Sequence, residues 1–155
     1  MKKILLVYLL LIVSVGVLAL MRGNFSFPNN PFKKSEVIIN NKTFTVDLAK
    51  SEKEKMTGLS GRNSLDENSG MLFIFSKKDT YSFWMKDMKF PIDIIFIDTD
   101  KVVDVIQNAS IPSTKNVALL PIYKGAQPAN YVLEIKAGAA QKNKIKIGDK
   151  VTIKQ

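Results

Sequence analysis

"SFWMKDMKFPIDIIFID", Ser82 to Asp98, is the stretch whose reading decides the fold. Pro91 interrupts the chain after an aromatic and basic segment, and a strand pattern follows from Ile92 to Asp98. Alternation puts Asp93, Ile95 and Ile97 on one face, and Ile92, Ile94 and Phe96 on the other. Both faces are apolar, so the pattern predicts a strand covered on both sides. An unpartnered carboxylate at Asp93 would then cost on the order of several kcal/mol. The residue needs a cation, for which Lys86 and Arg62 are the choices, or a strand-end position where water or backbone N–H groups reach it. In the second case it is a structural acid rather than part of a polar pocket.

Working outward, period-two patterns recur. "VIIN" and "TFTVDLA" read as a hairpin around Asn41-Lys42, with Phe44, Val46 and Leu48 on one face and Thr43, Thr45 and Asp47 on the other. "GMLFIF", "YSFWMK", "KVVDVIQ", "YVLEIK" and "KVTIK" read as further strands, with Glu134 on an exposed face of the "YVLEIK" strand. Ser51 and Glu54 have capping-box spacing, so a short helix is expected to open there and end by Gly58 or Gly61. A second short helix is expected over 138–143. The 108–129 connection holds Pro112, Pro121 and Pro128 and reads as irregular, a lid or an edge covering. These features predict a mainly-β, sandwich- or barrel-like antiparallel domain over residues 36–155, with one or two short helices.

The N-terminus differs in kind. Ile4 to Met21 is a run of 18 residues without a charge, preceded by Lys2 and Lys3 and followed by Arg22. As a helix it would span about 27 Å, near the hydrocarbon thickness of a bilayer. Basic residues on so short a tail favour its retention in the cytoplasm, with the remainder outside. Residues 1–22 are therefore read as a transmembrane anchor or a signal peptide, with Val17-Leu18-Ala19 as a cleavage site in the second case. The run is long for a signal-peptide core, which favours the anchor. Residues 23–35, with two prolines and three asparagines, read as a linker. The expected location is the cell membrane, with the domain outside the cytoplasm, or secretion if the leader is removed.

The chain of 155 residues has no Cys and no His. Disulfides, thiolate metal sites, histidine-ligated metals and imidazole-based catalysis are thereby excluded. No cofactor or metal site is expected, and no catalytic residue is assigned. Five of the net nine positive charges lie in residues 1–35, and the C-terminal twenty residues hold Lys136, Lys142, Lys144, Lys146, Lys150 and Lys154. A modest basic surface of this kind suits solvent, anionic lipid or an anionic envelope polymer. Basic residues are not interleaved with aromatics as nucleic-acid binding would require.

"EKMTGLSGRNSL", "GMLFIF", "SFWMKDMKFPIDIIFID", "YVLEIKAG" and "IGDKV" occur in this order over residues 37–154. Together they resemble the domain-of-unknown-function family 192, a family of small prokaryotic domains. The resemblance implies a mainly-β, sandwich-like fold, often behind an export signal, and no established activity. The family tends to carry Arg in place of Lys55, Met in place of Ser60 and Asn-Thr in place of Asp87-Met88.

The candidate binding set is Arg62, Trp84, Lys86 and Asp93. Trp84, the single Trp, offers a ring that can stack on a sugar or planar ligand, and it equally suits a core. Asp98-Thr99-Asp100 reads as a turn, since a calcium loop needs further oxygens. Asp93 and Asp98 lie about 16 Å apart along one strand, too far to act as a glycosidase pair, whereas Asp93 with Glu134 stays geometrically open. The expected function is a membrane-tethered or exported binding module for an envelope glycan, an anionic polymer or an envelope protein. The alternative is an envelope hydrolase or carbohydrate-active enzyme that uses carboxylates.

Overall fold

The computed structural model describes residues 32–154; the segments expected to be an anchor or signal peptide (1–22) and, for nearly all of its length, a linker (23–35) lie outside them. Among the described residues no helix is long and apolar enough to cross a membrane. Nine strands and two short α-helices make up the described part. They are β1 (Lys34–Ile39), β2 (Lys42–Ala49), α1 (Glu52–Thr57), β3 (Ser69–Asp79), β4 (Ser82–Trp84), β5 (Ile92–Asp98), β6 (Lys101–Ala109), β7 (Ile122–Lys124), β8 (Ala129–Lys136), α2 (Ala139–Lys142) and β9 (Val151–Lys154). A single 3-10 turn, Val117–Leu119, precedes β7.

Seven strands form one sheet in the order β6-β5-β8-β3-β2-β1-β9. The sheet curls until its edges approach: Val102 N donates to Asp149 O at 2.9 Å, and Val151 N to Asp100 O at 2.7 Å. The result is a half-barrel, mainly β as expected. One feature of the expected layout is corrected, because β2 and β3 run parallel and the sheet is not wholly antiparallel. Parallel neighbours need a crossover, and the segment holding α1 supplies it. β4 and β7 leave the main sheet and pair with each other, so the 108–129 connection ends in a small ribbon.

Local chemistry accounts for the boundaries. The β1–β2 turn is Asn40-Asn41, one residue earlier than expected, with φ of 51° and 63°. Asn tolerates this left-handed region, and two such residues make the turn whose twist matches a hairpin. At α1, Glu54 N donates to Ser51 Oγ, and Ser51 N donates to the Glu54 carboxylate, which closes the capping box.

Each face of the sheet carries its own core. Inside the curl, Phe44, Val46, Leu48, Leu72, Ile95, Ile97, Leu133 and Ile135 pack together, plugged by Ala139 and Ala140 of α2. On the outer face, Met71, Phe73, Ile92, Ile94, Phe96 and Val132 are covered by Leu59, Leu65, Met85 and Met88. β5 is buried on both sides from Ile92 to Ile97, as its alternation predicts. Gly125 lies against Phe96, where an added Cβ would come within 2.7 Å of the ring, so the chain after β7 can cover β5 closely only with glycine.

Asp93 is fully buried on the inner face. Between Ile92 and Ile94 the β5–β6 register slips, with Ala109 and Ile106 as the flanking partners. β6 therefore inserts one extra residue opposite Asp93, and Asn108 takes a φ of 55° there. The amide freed by this bulge, Asn108 N, donates to Asp93 Oδ1 at 2.8 Å, and Ala140 N in the first turn of α2 donates to Oδ2 at 2.8 Å. α2 has no side-chain cap of its own, so Asp93 serves as its N-terminal acceptor from another strand. The cation option for Asp93 is corrected: backbone N–H groups satisfy it. Asp93→Asn replaces one acceptor by a donor facing an N–H group. It should lower unfolding free energy by about 2 kcal/mol, read from denaturant melts, and an unchanged midpoint would rule out this tie.

Candidate functional site

Residues directly across the sheet line up on its outer face. Asp47 of β2 faces Met71 of β3, Met71 faces Glu134 of β8, and Glu134 faces Ile94 of β5. This row alternates acid and apolar residues, with Met71 between Asp47 and Glu134, beneath the segment that follows α1. That segment is stitched down by Leu59, by Gly61 N donating to Asp87 O at 3.0 Å and by Ser60 Oγ donating to Lys86 O at 2.8 Å. Arg62 at its end reaches the row, and its Nη2 lies 2.8 Å from Asp47 Oδ2. The guanidinium also faces the Phe32 ring, 5.6 Å from its centroid.

Glu134 has a different environment. The residue is 5% exposed and lines a cleft; among the described residues no hydrogen bond to its carboxyl group is found, and no side-chain oxygen wholly shut off from solvent lacks a partner, so its carboxyl group meets the cleft. Burial pushes its pKa up to about 8, against the opposing pull of the Arg62 charge. At neutral pH the side chain is therefore mainly a neutral acid, able to donate one hydrogen bond as well as accept. The sequence reading placed Glu134 on an exposed face, and this is corrected. β8 runs between β3 and β5, and both of its faces are covered.

Glu134 forms the floor of a cleft of about 250 Å³ between α1 and the β4–β7 ribbon. The walls are aromatic. Phe73 and Phe83 meet edge to face at 5.1 Å, Phe83 leans on Phe96 at 6.0 Å, and Phe75 stacks on Tyr81 at 3.5 Å. The Tyr81 hydroxyl donates to Lys77 O at 2.7 Å, which fixes the stack, and burial raises its pKa. Lys55 Nζ sits over the Phe75 ring at 4.8 Å and pairs with Glu52 at 3.0 Å, so its charge is matched at the cleft mouth. Trp84, 45% exposed, forms the rim. A concave apolar pocket with one convergent, perturbed titratable group is the pattern expected of a ligand site.

The sequence and the fold agree with known relatives. The family model described as Uncharacterized ACR, DUF192, matches residues 35–153. The chain belongs to the domain-of-unknown-function family 192. A protein of unknown function from Novosphingobium aromaticivorans has a similar crystal structure, with a TM-score of 0.72 and 32% identity over 81% of this chain and 89% of that one. A Sinorhizobium meliloti protein, provisionally described as a transcription regulator, is similar at a TM-score of 0.70 and 27% identity, over 79% of this chain and 95% of its own. A search of curated proteins finds no match.

In this family-192 domain, the four candidates drawn from sequence do not share one pocket. Trp84 lines the cleft and Lys86 Nζ lies 5.9 Å from its ring centroid. Arg62 acts on Glu134 from its place beside Asp47. Asp93 is on the opposite face of the sheet, with both oxygens bonded to backbone N–H groups. That placement also closes the Asp93–Glu134 glycosidase pairing, since the two acids cannot flank one bond. Of the positions where the resemblance implies a departure from the family, Lys55, Ser60 and Met88 fall on the wall of this cleft and Asp87 does not. Asp98 pairs with Lys78, and Lys142 and Lys154 pair with Glu67 and Glu36; such exposed pairs contribute little.

Folding raises the Glu134 pKa from 4.5 to about 8, so the native state binds more protons than the unfolded chain within that window. Stability contributed by this group is full below the lower value and is lost as pH rises through the upper one. Denaturant melts of the native chain and Glu134→Gln from about pH 5 to pH 8 should therefore diverge. The native chain should lose on the order of 1.4 kcal/mol per pH unit relative to the variant. Parallel pH profiles would contradict a buried neutral acid.

Proposed function

We propose that this protein is an extracytoplasmic binding module that takes a small ligand into the aromatic cleft above Glu134 and performs no chemistry on it. The uncharged run of residues 4–21 supports a tether to the membrane, or export if the leader is cleaved. The observation that carries the binding reading is the cleft itself: aromatic walls converge on one carboxyl group, that of Glu134, which opens into it. Such a group gains most from a ligand that supplies the missing partner. Trp84 and the rings behind it provide apolar contact, and Arg62 moderates the acidity of Glu134. Envelope glycans and envelope proteins remain the partner classes consistent with the proposed location.

A second reading rests on the same acid. A Glu with a pKa near 8 is a fit general acid, so an envelope hydrolase is the alternative. Among the described residues, the only other carboxyl group on the cleft wall is that of Glu52, which is 87% exposed and paired with Lys55. No second carboxylate is thus held in the cleft for a two-acid mechanism.

Trp84 makes binding visible, because the chain has one Trp and it lies on the rim. Fluorescence titration of the full chain in nonionic detergent micelles against small amines, acids, alcohols and sugars should give at least one saturable change. Ser82→Tyr, which fills the cleft from β4, should abolish it. Turnover of a glycan or ester that is lost in Glu134→Gln would replace the binding reading by the hydrolase. Protease added to cells stripped of their outer layers should degrade the domain, and full protection would contradict the location.

A further inference from the structure

We propose that the ligand of this cleft is a small organic cation, an ammonium-bearing molecule whose charge meets the Glu134 carboxylate and whose stem packs on Phe73, Phe83 and Trp84. The inference rests on the reading of the cleft as a ligand site and narrows it to one class of ligand.

Three observations favour a cation. First, the charged side chains on the cleft wall are Glu52, Lys55 and Glu134, and Lys55 is already paired with Glu52. Glu134 is then the group left to match from within the cleft, a charge once its proton leaves. An anion would have to lie against a carboxyl group or displace Glu52 from Lys55. Second, the aromatic surfaces here already carry ammonium groups: Lys55 Nζ at 4.8 Å from the Phe75 centroid and Lys86 Nζ at 5.9 Å from that of Trp84. These contacts exploit the negative face of an aromatic ring, which a ligand cation would use in the same way. Third, Glu134 is more than nine-tenths buried as a residue yet its carboxyl group meets the cleft, where no protein donor among the described residues takes it up. An ammonium group supplies up to three donors to it.

The titratable and charged groups around Glu134 are few. α1 contributes Glu52 and Lys55, the segment after it contributes Arg62, β2 contributes Asp47, and Tyr81 lies before β4. β3 and β5 present Met71 and Ile94 beside it. Arg62 is engaged by Asp47 and is not on the cleft wall, so it lowers the cost of ionising Glu134 without filling the site. An entering ammonium completes that ionisation, and the Glu134 proton leaves to solvent. Binding is thus coupled to loss of a proton. As pH rises toward 8, affinity should increase about tenfold per pH unit, while the ligand itself stays charged.

Phenethylammonium, 2-phenylethanol and phenylacetate share a ring and differ in the head group, so they serve as probes. Calorimetric titration of the full chain in dodecyl maltoside micelles, with empty micelles as the blank, should rank phenethylammonium first. Its affinity at pH 7 should exceed that at pH 6 about tenfold, with release of about one proton per ligand seen by changing the buffer. Glu134→Gln should bind the amine at least tenfold more weakly at pH 8 and without pH dependence. Lys55→Met, which removes a competing charge, should bind it more tightly. Phenylacetate or 2-phenylethanol as the preferred probe, with Ser82→Tyr abolishing the signal, overturns the cation and leaves the cleft standing. Loss of amine binding in Lys55→Met, or equal binding by Glu134→Gln, also overturns the cation. Silence from all three probes overturns the cleft reading as well.

Discussion

A carboxylate can lie inside a covered sheet only if donors reach both of its oxygens, and Asp93 is placed where they do. The β6 bulge frees Asn108 N, and the uncapped start of α2 offers Ala140 N. One side chain thereby ties a central strand, an edge strand and the helix that plugs the half-barrel. The inner core of Ile95, Ile97, Leu133 and Ile135 depends on that plug, since Ala139 and Ala140 close it. Once the inner face is sealed, β5 and β8 must be covered on the outside too, by Leu59, Met85 and Met88.

The outer face repeats the problem with a different outcome. Asp47 obtains Arg62 at 2.8 Å, whereas Glu134 opens on the cleft and burial pushes its pKa up to about 8. The cleft proposed as the ligand site opens on this group, which has no protein donor among the described residues. The aromatic walls fit the same purpose. Phe75 on Tyr81 and Phe73 on Phe83 are rigid surfaces that lose little freedom when a ligand lies on them.

Much of this architecture is legible in the chain. The two apolar faces of β5, the Asn-rich hairpin, the Ser51–Glu54 capping box and the demand of Asp93 for partners all follow from short-range patterns. What cannot be read there depends on which strands become neighbours. "YVLEIK" alternates like a half-exposed strand, and Glu134 is buried only because β8 lies between β3 and β5, each apolar on both faces. The parallel β2–β3 pair, the Arg62–Asp47 ion pair and the separation of β4 and β7 from the main sheet have the same origin. Each joins residues by a crossover that leaves no local period. Lys86 and Arg62 look equally available to Asp93 along the chain, and only the bulge shows that backbone amides reach it first.

The proton coupling proposed for the cleft requires that Glu134 carry a proton at neutral pH. The direct measurement is the carboxyl carbon chemical shift of Glu134, followed by NMR through a pH titration of the full chain labelled with 13C at glutamate and assigned with Glu134→Gln. The account predicts a midpoint near 8 for that one resonance. A midpoint close to the ordinary value of 4.5 would mean an ionised, solvated side chain and would contradict it.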